Sequence, residues 1–515
     1  MMASQLRPND PLTDLRAESL ITDAQECAFY AQDVFTQGPA PIGVFRPEST
    51  AELADGVGKA TAAGIAVIPR GGGMSYTLGY VAPAAGALIV DLGRMNRILA
   101  INETDMTVTV EAGVSWHQLY QALHPKGLRT PLWGTLSGIR ATIGGGMTQN
   151  GLFWGARNGT IAPTAISFQV ILADGSVITT NNDFFRPFGP DVTGLFGADA
   201  GAFGIKAQIT LPLVYDAEAF AYGSFVFDTP EQYCAAMSEI GRRGLAAEAF
   251  GFDPFLTSQR MKRDSLASDA KQLVGMMKAQ GGFWRALKEG AKVVAAGRSF
   301  LDDATFSIHL TCEGRQQAAV DDDMRRVEEI VTSNGGRVVE NTIPKILRAN
   351  PFPPTNSMAG PNGERWVPVH GIVKHSKAAE AINAIIALFE AHAEDMDRLS
   401  VGAGYMFLLA GSTGFLIEPC FYWPDEQWEI HKRSIEPAHF AKLGAFPPNA
   451  EARALVKKLR QGVIDVFGQT GGIHFQIGRT YPLEARTDPR AWAILEAVKR
   501  EVDPKGLMNP GALGL

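Results

Sequence analysis

Cysteine is scarce: there are four in 515 residues, Cys27, Cys234, Cys312 and Cys420. They lie far apart and form no C-x-x-C pair, which excludes a disulfide framework and a cysteine-ligated zinc site. Long apolar runs are also missing. No stretch approaches about 18 uninterrupted apolar residues, and the opening MMASQLRPNDPL lacks the apolar core of a leader, so neither a membrane span nor export is expected and a cytoplasmic location is. The third absence is positive charge. With 47 Lys and Arg against 54 Asp and Glu, net −7, the chain has no basic footprint for nucleic acid.

What is present in excess is glycine, 55 of 515 residues, against an average of about 7%. Glycine at this level marks backbone that turns tightly or approaches a ligand closely. Sixteen of the 55 fall between residues 71 and 159. The stretch from 42 to 69 reads as strand (IGVFR), capped helix after Ser49, and strand (IAVIP), running into a glycine loop. Further strands are expected at 87–91, 97–101, 106–111, 165–173, 176–180 and 205–214, with a helix at 114–123. Together they make a mixed α+β region that ends near Leu213.

Beyond Tyr215 a strand–helix pattern comes round three times: FAYGSFVFD, FSIHLTCEG and RWVPVHGIV are each followed by a helical stretch. Such units suit an antiparallel sheet with helices on one face. Between the first two lies a basic segment, residues 257–298, with nine Lys/Arg against three acids. It reads either as a membrane-surface helix or as a solvated helical insertion.

Three segments carry chemistry. The first is Pro69-Arg70-Gly71-Gly72-Gly73-Met74-Ser75. Glycines after a strand leave successive backbone N–H groups free to converge on a diphosphate. The pattern is neither G-x-G-x-x-G nor a P-loop, which sets aside a Rossmann NAD site and a P-loop NTPase. The second is Thr142-Ile143-Gly144-Gly145-Gly146-Met147-Thr148-Gln149-Asn150-Gly151, continuing to Gly155, and it reads as a second cradle of donors. The third, Gly201-Ala202-Phe203-Gly204-Ile205-Lys206, is a turn into the strand closing the region. Two donor loops set among strands suit a dinucleotide.

The ordered set PRGGGMS, LIVDLGRMNRI, VEAGVSWHQL, ATIGGGMTQNG, VILADGSVI, GAFGI and the terminal DPKGLMNPG resembles the FAD-binding domain of the vanillyl alcohol oxidase and p-cresol methylhydroxylase superfamily. The resemblance implies an α+β fold in which a PCMH-type FAD-binding domain of two α/β subdomains is interrupted by an antiparallel-sheet-plus-helices cap. Its expected boundaries are 1–215 for the FAD domain, 216–455 for the cap and 456–515 for a segment that returns and completes the active site. The cofactor implied is FAD, held by Pro69, Arg70, Gly71, Gly72, Gly73, Met74, Ser75, Thr142, Gly144, Gly145, Thr148, Asn150, Gly151, Gly155, Gly204, Ile205 and Asn509. Met74 stands where histidyl-flavin members carry His, no cysteine lies between Cys27 and Cys234, and residues 411–415 hold neither His nor Tyr. Non-covalent FAD is therefore expected.

For the substrate, Arg479-Thr480 resembles the Arg-Thr of the phenol-oxidising branch. Arg479, Tyr481 and His474 are candidates to bind a phenolate or carboxylate and to move a proton. For Arg479 the plainer reading is an ordinary ion pair, and for His474 a core histidine. Glu418, in a strand rich in aromatics, is the cap candidate. Trp366-Val367-Pro368-Val369-His370 is similar to a strand of that branch, although its aromatics read equally as core. The G-H-x-G-D-G-N-x-H metal motif of the D-2-hydroxy-acid branch is absent, since His370-Gly371 is followed by Ile372, Val373 and Lys374, and no metal is expected. The leading expectation is an FAD-linked oxidase or dehydrogenase taking hydride from a phenolic or aryl-alcohol substrate, with oxygen or a redox protein as acceptor and possible homodimers. The alternatives are a D-2-hydroxy-acid dehydrogenase and a flavin-binding electron-transfer protein without its own substrate.

Overall fold

The computed structural model describes residues 17–261 and 306–515. Most of the basic 257–298 segment therefore lies outside the described residues. The described chain forms two compact units: one holds the residues up to Leu152, Thr160–Asp216 and His474–Leu515, the other Phe153–Gly159 and Ala217–Ile473.

In the first unit, β1 (Leu20–Ile21), β2 (Gly43–Phe45), β3 (Val67–Arg70) and β4 (Leu88–Asp91) make a sheet in the order β1-β2-β4-β3. β2 and β3 both run parallel to β4. The helix Thr50–Ala62 supplies the crossover that parallel strands require. It starts where Ser49 accepts a hydrogen bond from the Glu52 N–H, and it buries Leu53, Val57 and Ala60.

A second, antiparallel sheet follows. It holds β5 (Ile98–Asn102), β6 (Thr107–Glu111) and, past the short β7 (Leu128–Arg129), β8 (Ser167–Ile171), β9 (Val177–Thr179) and β10 (Ile205–Pro212), in the order β5-β6-β10-β8-β9. β10 alternates inward-facing apolar residues from Ile205 to Leu211 and is the central strand. β11 (Val214–Tyr215) pairs with β7. The first unit thus combines a largely parallel sheet with an antiparallel one, in keeping with the two subdomains expected of it.

The second unit is built on an antiparallel sheet of β12 (Ala219–Phe227), β13 (Glu248–Phe252), β14 (Phe306–Gly314), β15 (Arg337–Val339), β16 (Arg365–Pro368), β17 (Gly371–Lys374), β18 (Gly402–Ala410) and β19 (Gly414–Trp423). Its order is β15-β12-β14-β13-β18-β19-β16, with β17 beside β19. The helix Pro230–Arg243 lays Tyr233 among Phe227, Phe306, Phe407 and Phe415, with ring centroids 4.9–6.2 Å apart. The four phenylalanines come from four different strands and meet Tyr233 from the same face of the sheet, which is the face that carries the helix.

Two boundaries differ from expectation. Residue 456 falls inside the helix Ala450–Gln469, which Asn449 caps through the Ala452 N–H. That helix buries Leu455, Leu459 and Phe467, and Ile473 pairs with Ile372. The return to the first unit therefore comes at His474. Phe153–Gly159 also leaves the first unit: Trp154 donates its indole N–H to the Pro351 carbonyl at 2.8 Å, and Gly155 its N–H to Glu248 at 2.9 Å.

Candidate cofactor site

β3 ends at Arg70, and the chain turns through Gly71, Gly72 and Gly73 along the wall of a half-open cleft. The backbone N–H groups of Gly71 to Ser75 take no acceptor among the described residues. Gly73 is buried and its four neighbours are half-buried, and a row of successive unpaired backbone donors on a cleft wall can serve as a nest for an anion. No side chain can be added here: a Cβ on Gly72 would lie 1.9 Å from the Arg140 carbonyl oxygen, and Gly73 sits at φ +71°.

Behind the loop, the buried Arg70 guanidinium lies 4.4 Å from the Tyr30 ring centroid, 5.0 Å from that of Phe29 and 5.2 Å from that of Tyr80. The three rings hold its charge in place. Tyr80 also donates its hydroxyl to the Gly73 carbonyl at 2.8 Å, and burial raises its pKa. Nearby, burial and the Arg70 charge lower the pKa of Arg140. Free donors, a bare backbone and a fixed cation fit the diphosphate of a dinucleotide.

The second glycine run is not a second cradle. Residues 143–149 form a helix whose first N–H groups are already used: Ile143 donates to Val114 O (2.8 Å), Gly144 to Ala112 O (2.9 Å) and Gly146 to Thr142 O (2.8 Å). Gly145 donates to the Thr142 hydroxyl at 3.1 Å. Its glycines serve packing instead, since a Cβ on Gly144 would meet Ala112 at 2.6 Å and one on Gly146 the Trp116 ring at 3.1 Å. Thr142, Gly144, Gly145, Thr148 and Gly151 still wall the cleft, as do Pro69, Met74, Gly204 and Ile205.

Three expected ligands are occupied elsewhere. Gly155 belongs to the second unit and is bonded to Glu248. Asn150 closes its helix at φ +56° and accepts the Ala162 N–H at 3.0 Å. Asn509 is a hub, donating to Gly79 O (3.1 Å) and Ala200 O (2.6 Å) while accepting from Arg479 (2.5 Å).

Lys206 and Gln476 line the cleft although neither was expected there. The Lys206 ammonium pairs with Asp199, both fully enclosed, and burial lowers the pKa of Lys206 and raises that of Asp199. The signal was available: Lys206 is a charge within an apolar strand that is buried on both faces here, a costly placement without a partner.

The substrate candidates do not converge. Arg479 donates through Nε to Pro510 O (2.9 Å), through Nη1 to Leu78 O (2.5 Å) and Val81 O (3.0 Å), and through Nη2 to Asn509 Oδ1 (2.5 Å). That occupies four of its five N–H groups. Burial lowers its pKa to about 10. Arg479 is thus a staple for main-chain carbonyls, neither an anion clamp nor an ion pair.

His474 and Tyr481 do come together, their rings stacked at 4.0 Å and 8°. Arg486 donates to His474 Nε2 at 2.6 Å. Arginine can only donate, so this bond holds the imidazole lone pair and leaves it no general base at that nitrogen. Glu418 lies on β19 in the other unit, buried, with the Cys420 thiol 4.0 Å from its carboxylate. The aromatics of that region are core: Trp423 and Phe421 are fully buried, and Arg365 is enclosed with its guanidinium 3.8 Å from the Trp428 ring centroid. Among the described residues no group of three His, Cys, Asp or Glu could hold a metal, and no helix is long and apolar enough to cross a membrane.

Fold and cleft define a flavin-binding protein. Residues 41–181 match the model of an FAD-binding domain, and residues 451–513 that of the C-terminal domain of FAD-linked oxidases. Over these two stretches the chain is similar to the PCMH-type FAD-linked oxidases, and the matches support FAD as the cofactor. Among curated proteins it is 31% identical over 176 residues to a glycolate oxidase subunit of Bacillus subtilis, covering 34% of this chain and 37% of that one. It is 29% identical over 214 residues to the mitochondrial cytochrome-linked D-lactate dehydrogenase of Arabidopsis thaliana, covering 40% and 37%. These matches span little more than a third of each relative. Solved structures of p-cresol methylhydroxylase with substrate bound (15% identical, TM-score 0.71, covering 97% of this chain and 95% of that one) and of 4-ethylphenol oxidase from Gulosibacter chungangensis (17%, 0.66, 98% and 95%) share the fold.

Proposed function

We propose that this chain is an FAD-dependent oxidoreductase that removes a hydride from a hydroxyl-bearing or benzylic carbon and passes the electrons to oxygen or a redox protein. The observation that carries this reading is the row of unpartnered N–H groups from Gly71 to Ser75, inside the region matched to an FAD-binding domain. When bound, FAD supplies the two-electron acceptor. The protein's share is to hold and orient. The Gly71 to Ser75 amides and the caged Arg70 bind the diphosphate, while Thr142, Gly145 and Thr148 wall the cleft against water. Met74 offers no nucleophile, so the cofactor is held without a covalent bond.

Two substrate classes remain. A 2-hydroxy acid is favoured by the relatives, whose names specify glycolate and D-lactate, and by the occupied donors of Arg479, which had carried the phenolate reading. A phenol or aryl alcohol is favoured by the stacked His474–Tyr481 pair, where Arg486 takes over as the cation for an anionic end. Anaerobic mixing with D-lactate and D-2-hydroxyglutarate on one side and 4-hydroxybenzyl alcohols on the other decides between them. Bleaching of the flavin absorbance by one class assigns the substrate. If neither bleaches it, the protein transfers electrons without oxidising a substrate of these kinds, and the reading fails.

A further inference from the structure

The loop that follows the edge strand β9 carries Phe184, Phe185 and Phe188, which are 67%, 63% and 86% exposed. Val177 on β9 and Val192 just beyond the loop are exposed as well. Exposed apolar residues scattered singly need no explanation, whereas three phenylalanines within five positions do.

The loop is not slack. Asn182 accepts the N–H groups of Phe184 (3.0 Å) and Phe185 (2.8 Å), and Asn181 donates to the Phe185 carbonyl at 2.7 Å. Arg186 forks onto Asp191 at 2.9 and 2.7 Å and donates to the Ala165 carbonyl at 2.8 Å. Asp191 in turn accepts the Gly194 N–H at 3.1 Å, capping the next helix. The aromatic side chains are therefore presented on a backbone fixed in advance, so little ordering entropy opposes their burial against a partner.

We propose that this loop, with the edge of β9, is the contact through which two copies of the chain associate. Area supports a stable partner. At roughly 200 Å² per phenylalanine the three rings expose about 430 Å². A standard interface buries about 800 Å² per partner, of which somewhat more than half, or about 450 Å², is apolar. Passing redox encounters are smaller than this.

Charge argues against a bilayer as the occupant. The single basic residue of the loop, Arg186, is engaged by Asp191, and Asp183 adds a negative charge, so nothing here attracts anionic lipid. A patch of like apolar residues is also self-complementary, as a two-fold interface requires.

The test is the solution mass of the FAD-loaded chain, by light scattering across a dilution series, for the native sequence and for F184S/F185S/F188S. These side chains are exposed, so the variant keeps its fold, which retained flavin absorbance and an unchanged melting temperature check. The expected result is a native dimer and a monomeric variant. A native monomer, or a variant that remains dimeric, overturns the proposal. Flotation with phosphatidylcholine vesicles that is lost in the variant also overturns it, assigning the loop to a membrane surface.

Discussion

Arg479 shows how a residue can be found by motif and misread in role. Its neighbours in sequence suggested an anion clamp, yet its acceptors are carbonyls of Leu78 and Val81, some 400 positions upstream, and of Pro510. Nothing local to an Arg-Thr pair records such partners. Removing the guanidinium leaves those oxygens buried and unpaired, so Arg479→Ala should lower stability by about 2–4 kcal/mol. The KM of whichever substrate bleaches the flavin should stay within about twofold, because four of the five N–H groups of this side chain are committed to main-chain and Asn509 acceptors. Chemical denaturation and steady-state kinetics check both halves. A variant of native stability that has lost substrate affinity would restore the clamp.

Among elements, the strands were legible and the glycine runs only half so. β3 and β4 announce themselves as short apolar runs and β10 through apolar alternation, each with the turns that bound it. The two triple-glycine runs look alike in sequence but fold differently, the first as an open loop and the second as a helix. The distinguishing signal was Thr142, a capping residue placed just ahead of the second run, with its hydroxyl three residues from the Gly145 N–H it receives.

This difference can be measured by paired substitutions. Gly144→Ala drives a methyl into Ala112 and should cost about 1–3 kcal/mol. Gly145→Ala meets only the Thr142 hydroxyl at 3.2 Å and gains helix propensity, so its stability should stay within about 1 kcal/mol of native. If both were equally disruptive in thermal melts, the packing account of the second run would be wrong.

At the scale of the molecule, the sequence marked the change of texture at Tyr215 but not the excursion of Phe153–Gly159 or the late return at His474. Those depend on pairings such as Gly155 with Glu248 and Ile473 with Ile372, which join segments about a hundred residues apart. The proposed non-covalent attachment also has a consequence at this scale. Acid precipitation should leave all the flavin in the supernatant, and FAD returned to the apoprotein at about 100 times its Kd should add about 2.7 kcal/mol of stability. A raised melting temperature is the readout, and flavin retained in the pellet would refute it.

The hub at Asn509 bears on how the protein is made. Val67 accepts the Asn509 N–H and donates its own N–H to Leu507, so the chain beyond His474 adds the last edge to the sheet that carries the glycine loop. A ribosome must first synthesise Ala217–Ile473, which at about 5–20 residues per second takes from roughly ten seconds to a minute. During that interval the earlier part of the flavin unit waits incomplete, with Arg479 and Asn509 not yet translated. Capture of FAD in its final geometry therefore follows synthesis of the segment beyond His474, and until then the edge of β3 that Leu507–Asn509 will cover stays open.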